Sequence, residues 1–258
     1  EAKTDKADEL QEKWKVKRGD LWKMGSHRLL CGDSTSEDDV ARLMNGETFN
    51  LMVTDPPYGV EYDAERRVVV GTSGEGGAAL GKVTNDNRAD WADAWALFGG
   101  AAAYVYHADR FVDMVKASLE ATGLTARCLI AWNKGRAAPL PYGINKDQVA
   151  MLGLYHHQHE PCWYAIRKGE TVGWVGDRSQ TTVWDIDKNQ KNETGHSTQK
   201  PVECMARPIR NHRGDVYDPF LGSGTTMVAA EQLRRKCYGL EIEPKYCAVI
   251  LERMADMG

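Results

Sequence analysis

Thr54-Asp55-Pro56-Pro57-Tyr58 places a carboxylate, two prolines and an aromatic ring directly after the apolar run Phe49-Asn50-Leu51-Met52-Val53. The run has the composition of a buried strand. Consecutive prolines cannot continue a sheet, so the strand must end at Asp55. They also leave the carbonyls of Asp55 and Pro56 without a following N–H. A rigid rim results at the carboxyl end of a strand, where open α/β sheets hold their ligands. One carboxylate, free carbonyls and one aromatic face are the parts needed to grip a flat ring bearing an exocyclic amine. The alternative is an ordinary Pro-Pro turn, and the tetrapeptide alone does not decide between them.

A second constellation lies at Val216-Tyr217-Asp218-Pro219-Phe220-Leu221-Gly222-Ser223-Gly224-Thr225-Thr226. Here a strand ends at Asp218, a glycine-rich turn follows and a helix begins near Thr225. Gly222 and Gly224 permit close approach of a ligand to the backbone. Exposed N–H groups at the helix start favour an anion. The turn is not a P-loop, because the required Lys is missing, and the dinucleotide pattern fails at Met227. The next strand ends at Glu241, roughly twenty residues beyond Gly222, the spacing of an acidic residue that grips ribose hydroxyls. Gly32-Asp33 sits just past another strand end. Its carboxylate can accept from an amino group, or it can cap the helix that follows.

Helices at 91–97 and 111–122 and strands at 102–106 and 128–132 alternate between these two sites. That is the signature of a doubly wound, mostly parallel α/β sheet. Val16 to Ser34 reads as a hairpin bending at Gly25-Ser26 and leading into a core strand. Residues 1–15 read as a frayed helix or tail, with only Leu10 and Trp14 as large apolar residues. The glycines at 71, 74, 76, 77 and 81 rule out regular structure directly after the rim. Such a loop either closes over substrate or is an insert.

The chain of 258 residues is long enough for one large domain. With 42% hydrophobic and 27% charged residues and no apolar run of membrane-spanning length, it reads as soluble. Net charge is −4, so a nucleic-acid partner would need locally concentrated cations. Six cysteines without a C-x-x-C pair read as reduced thiols in a cytoplasmic protein. His156, His157, His159 and Cys162 point different ways along an extended segment, which argues against a shared metal ion.

Taken together, the chain resembles the beta-class DNA amino-methyltransferases, which methylate adenine N6 or cytosine N4 with S-adenosylmethionine. Asp55-Pro56-Pro57-Tyr58 matches their catalytic motif, and the stretch around Gly222 their Asp-Pro-Phe-x-Gly-Ser-Gly-Thr-Thr cofactor loop. His196-Ser197-Thr198-Gln199-Lys200-Pro201 matches their H-x-T-x-K-P segment, and Asn85-Asp86 a further short motif. The catalytic motif precedes the cofactor loop, which is the beta-class circular permutation, and the likeness spans roughly residues 16–252.

The resemblance implies a Rossmann-like methyltransferase domain over 16–258 with a terminal antiparallel hairpin. Its catalytic half is 16–169, its target-recognition stretch 170–195 and its cofactor half 196–258. It assigns Asp55, Pro56, Pro57 and Tyr58 to catalysis. It assigns Asp33, Thr198, Lys200, Asp218, Phe220, Gly222, Ser223, Gly224, Thr225 and Glu241 to S-adenosylmethionine, with Thr198 and Lys200 on its carboxylate. Arg66, Arg67, Trp174, Arg178 and Lys188 are the residues expected on DNA, and no metal is expected. Asp55 favours adenine, since cytosine-N4 members more often carry Ser there. The alternatives are a cytosine-N4 enzyme and a non-catalytic partner subunit. Pro161-Cys162 resembles the nucleophile of cytosine-C5 enzymes, but Trp163 follows and the rest of that pattern is missing. The resemblance is to prophage-type enzymes of restriction-modification, which flip the target base. It implies DNA as partner and leaves open a homodimer and an upstream ParB-like domain. The short recognition stretch implies a very short or relaxed target site.

Overall fold

The computed structural model describes residues 2–60, 84–135, 158–187 and 199–258. The loop around 71–81, Arg66, Arg67, His156, His157, Lys188, His196 and Thr198 lie outside them. Among the described residues nine strands form one sheet: β1 (Leu21–Met24), β2 (His27–Cys31), β3 (Leu51–Thr54), β4 (Ala102–Tyr106), β5 (Leu124–Asn133), β6 (His159–Arg167), β7 (Val183–Asp185), β8 (Val216–Asp218) and β9 (Cys237–Glu241). Their order is β1-β2-β9-β8-β3-β4-β6-β5-β7. β2, β9, β8, β3 and β4 run parallel, each paired to the next. β1 closes one edge as the expected hairpin, and β6 is inserted antiparallel between β4 and β5. The fold is thus the doubly wound, mostly parallel α/β fold read from the sequence.

The central strands are buried along their whole length because helices cover both faces. Strand periodicity sorts their side chains between two cores. Leu51 and Val53 face the core holding α5 (Val202–Asn211), α6 (Thr225–Gln232) and α7 (Pro244–Ala255). Met52 faces the core holding α2 (Glu37–Met44), α3 (Ala92–Ala96) and α4 (Val112–Ala121). β5 runs longer than the expected 128–132, and its alternating exposure marks it as near the sheet edge.

The first fifteen residues are not a tail. Helix α1 (Ala7–Trp14) docks on α7, with Ala2, Ala7 and Leu10 buried. Glu252 receives Lys3, Lys13 and the Trp14 indole N–H, the last at 3.0 Å. The tie is a charged partner at the far end of the chain, which local periodicity does not reveal. Glu252→Ala is expected to lower stability by about 1 kcal/mol, since both lysines are well exposed and the pairing is screened. The check is a lower urea midpoint at unchanged slope.

All six thiols are free, and all but Cys128 are buried. Among the described residues no helix is long and apolar enough to cross a membrane.

Strand direction decides where chemistry collects. Parallel β2, β9, β8, β3 and β4 bring Asp33, Glu241, Asp218 and Asp55 to one end of the sheet. β6, reversed, brings its first residues, His159 and Glu160, to that same end, and β5 brings Lys134 just beyond its last. The chain's two halves meet where β8 pairs with β3, with Leu51 opposite Val216 and Met52 opposite Tyr217. Such a switch point is where open α/β sheets leave a crevice.

Candidate active site

Asp55 follows the last residue of β3, and the turn after it is pinned from three sides. The Trp91 indole donates to the Pro57 carbonyl at 3.0 Å. Asp86 accepts from the Gly59 N–H at 2.9 Å and the Val60 N–H at 3.3 Å, so Asn85-Asp86 braces the catalytic turn. Gly59 has φ +71°, and a Cβ there would stand 2.7 Å from the Arg88 backbone, so only glycine closes the turn. The Tyr58 hydroxyl donates to Asp55 Oδ1 at 2.7 Å.

Lys200 is the centre of this end. Its side chain is 5% exposed, and Nζ lies 2.8 Å from Asp55 Oδ1 and 2.8 Å from Glu160 Oε2. It also donates to the Tyr58 hydroxyl at 2.7 Å and sits 4.8 Å from the Tyr106 ring centroid. Glu160 Oε1 in turn pairs with Lys134 Nζ at 2.6 Å. Three partners match the three donors of an ammonium. Lys200, expected on a cofactor carboxylate, faces two carboxylates of the protein itself, Asp55 and Glu160. Burial raises the Asp55 carboxyl above its ordinary range, with Lys200 pulling against it. Burial would raise Glu160 too, but Lys200 and Lys134 outweigh it and hold that carboxyl at about 2. Burial opposes charge on Lys200, yet the two carboxylates raise its pKa.

At the β8–β3 seam the Thr54 hydroxyl donates to Asp218 Oδ1 at 2.6 Å, and the Phe220 N–H to the same oxygen at 3.0 Å. Burial pushes Asp218 up to about 6. The Phe220 ring meets Trp91 edge-on, centroids 4.6 Å apart. Glu241 accepts from the Gly222 N–H at 2.8 Å and the Glu243 N–H at 2.9 Å, while burial pushes its carboxyl up to about 7. Asp33 Oδ1 accepts from the Thr35 N–H and hydroxyl at 2.9 and 2.8 Å. The cap of α2 is Ser36, not Asp33.

These groups share one cavity of ≈ 450 Å³. Asp55, Pro56, Pro57, Tyr58 and Lys200 line one part; Asp33, Asp218, Phe220, Gly222, Ser223, Thr225 and Glu241 line the rest. Gly224 does not line it. At φ +85° it starts α6, and a Cβ there would press on Ile250 at 3.0 Å, so its role is in the turn. Trp174 and Arg178 do not line the cavity either. Trp174 bridges His212, its ring 5.2 Å away, and neighbouring Gly173 approaches Asn50 at the start of β3, the opposite end from Asp55. Cys162 is fully buried, with its thiol pushed well up by burial, so Pro161-Cys162 offers no nucleophile. Glu160, Lys134 and Trp91 are members of the site that motif reading did not assign.

Comparison with known proteins shows what this fold is similar to. Residues 140–252 match the DNA methylase family that groups N6 and N4 enzymes. The type II methyltransferase M.Cfr9I of Citrobacter freundii is 30% identical over 144 residues, covering 53% of this chain and 47% of that protein. The chain thus spans about half the length of that relative. The M1.HpyAVI–SAM complex superposes with TM-score 0.60 at 20% identity, over 87% of this chain and 98% of the other. The PvuII DNA methyltransferase, described as cytosine-N4-specific, gives TM-score 0.56 at 16% identity, over 91% and 92%. The resemblance to DNA amino-methyltransferases drawn from the motifs therefore stands.

Proposed function

We propose that this chain transfers a methyl group from S-adenosylmethionine to the exocyclic N6 amine of adenine in DNA. One observation carries the reading: a single cavity is lined by both the Asp55-Pro56-Pro57-Tyr58 rim and the Gly222 turn. Its size suits a nucleoside-sized ligand. Glu241 would take the ribose hydroxyls, Asp33 the adenine amine, and Phe220 with Gly222, Ser223 and Thr225 the methionine side. Asp218 holds the Phe220 turn in place. Thr198 remains the candidate for the carboxylate. When bound, the cofactor supplies an electrophilic methyl on a sulfonium. The flipped base would stack on Tyr58, and Asp55 and the Pro56 carbonyl would accept from its amine. Those contacts draw the nitrogen lone pair out of conjugation and aim it for direct displacement, by positioning and electrostatics.

Asp55 supports adenine, while the likeness to the cytosine-N4-specific PvuII enzyme favours the second reading, cytosine N4. Mass spectrometry of nucleosides from DNA treated with the protein is expected to find N6-methyladenine. N4-methylcytosine alone would replace adenine by cytosine as target. The intact rim and turn support an enzyme over a non-catalytic subunit, and absence of S-adenosylmethionine binding would reverse that. DNA is the proposed partner, at short or relaxed sites, with binding dominated by backbone contacts and steeply salt-dependent. A homodimer or an upstream ParB-like domain could extend recognition, and a cytoplasmic, nucleoid-associated setting follows from the substrate.

A further inference from the structure

The catalytic rim contains more charge than methyl transfer by Asp55 alone requires. Asp55, Lys200, Glu160 and Lys134 form a chain of side chains alternating in formal sign. Each link is short: Asp55 Oδ1 to Lys200 at 2.8 Å, Lys200 to Glu160 Oε2 at 2.8 Å, and Glu160 Oε1 to Lys134 at 2.6 Å. The two carboxylates come from unrelated elements, the end of β3 and the start of β6.

The chain leaves the two oxygens of Asp55 unequal. Oδ1 accepts from both Lys200 and the Tyr58 hydroxyl. Among the described residues Oδ2 has no donor. A carboxylate fixed in this way presents one oxygen to a ligand in the cavity. The second carboxylate draws the ammonium to the Oδ1 side, where the Tyr58 hydroxyl also accepts from it. With Glu160 neutral, Asp55 would be the only carboxylate left to Lys200, and nothing of opposite charge would oppose a shift of the ammonium toward Oδ2, covering the acceptor. Lys134 tethers the outer oxygen of Glu160, so Glu160 cannot itself swing toward Asp55.

We infer that Glu160 is a positioning residue: it holds Lys200 on Oδ1 of Asp55 and so reserves Oδ2 for the target amine. This rests on the reading of Asp55 as acceptor for that amine. Glu160 acts through Lys200, not on the substrate, and its charge matters more than its shape.

The test uses the full chain, tritiated S-adenosylmethionine and unmethylated random-sequence plasmid DNA, with single-turnover transfer rates and cofactor affinity by calorimetry. Glu160→Gln keeps the volume but turns an amide N–H toward an ammonium. It is expected to slow transfer by about 10- to 100-fold, the usual cost of losing an orienting partner, with cofactor Kd within about twofold. Lys200→Met should also slow transfer, and the double variant should be no slower than Lys200→Met alone, because both substitutions remove one device. An unchanged rate in Glu160→Gln, multiplicative losses in the double variant, or an equal loss of cofactor affinity would each overturn the inference. Where Glu160→Gln does not fold, Lys134→Gln carries the test. It should slow transfer in the same direction with unchanged cofactor affinity, and an unchanged rate overturns the inference. A wild type that binds cofactor but methylates no DNA overturns the functional reading, and this inference with it. A wild type that methylates, beside an unimpaired Glu160→Gln, overturns the inference alone.

Discussion

Asp55→Ala is expected to lower the rate of methyl transfer to DNA by about 10³-fold while leaving S-adenosylmethionine affinity nearly unchanged. The carboxylate stands on the rim formed by β3, with one oxygen held by Lys200 and Tyr58. The groups assigned to the cofactor's nucleoside, Glu241 and Asp33, stand at the ends of other strands, β9 and β2. Alanine removes the acceptor that orients the amine and stabilises the positive charge developing on its nitrogen. Removing one preorganised group of this kind costs about 10²–10³ in rate, and here the same group also orients the nucleophile, which places the loss at the upper end. The alanine variant also leaves Lys200 with Glu160 as its only carboxylate, so folding needs a control. Asp55→Asn keeps the volume and removes the charge; it should fold, bind cofactor and remain at least about 10²-fold slow. Single-turnover transfer read beside calorimetric cofactor binding separates the two effects. A parallel loss of cofactor affinity would place Asp55 on the wrong ligand.

Asp55 was legible because everything that defines its rim is local: an apolar run, two prolines, one ring. The Gly222 turn was legible for the same reason, and so was the alternation of strands and helices that builds the sheet. Lys200 was visible as a motif residue but its partners were not. Its partner Glu160 is 40 residues away in sequence, and Tyr58 is 142 away. Glu160 reaches them only because β6 runs antiparallel between β4 and β5, which puts the strand's first residues at the catalytic end. A strand's composition announces its existence but not its direction. The same limit applies to Trp174 and Arg178. They lie in a stretch matching the recognition region, yet that chain begins at the end of the sheet remote from Asp55. Gly224 illustrates a different ambiguity. A glycine in a ligand-binding turn can serve ligand approach or backbone conformation, and only its φ and its contact with Ile250 tell which.

Cofactor affinity is expected to rise about tenfold between pH 6 and pH 8, and Glu241→Gln to abolish that rise. Burial pushes the Glu241 carboxyl up to about 7, against the two backbone N–H groups it accepts. In the empty cavity the group is then largely protonated at pH 6 and largely ionised at pH 8. Ribose hydroxyls are donors, and each carboxylate oxygen keeps a second lone pair for them. Binding therefore favours the anion, lowers its pKa and releases a proton, so affinity grows as pH rises through about 7. Stability of the empty protein has the opposite sign. Its carboxyl pKa is raised from 4.5, so the contribution of Glu241 is fully present below about 4.5 and is lost as pH rises through about 7. Ligand-induced stabilisation should consequently be larger at pH 8 than at pH 6. Glutamine keeps the size but must turn its NH₂ toward the Gly222 or the Glu243 N–H, losing one of the two bonds that set the turn. A loss of about 10- to 100-fold in affinity at pH 8 is expected from that and from the weaker acceptor. S-adenosylhomocysteine titrated by calorimetry across this range avoids turnover, and the difference between wild type and Glu241→Gln removes the ligand's own amine titration. If the wild-type affinity follows pH no more steeply than the variant's, the Glu241 carboxylate does not meet the ribose, and the cofactor must lie differently along the Gly222 turn.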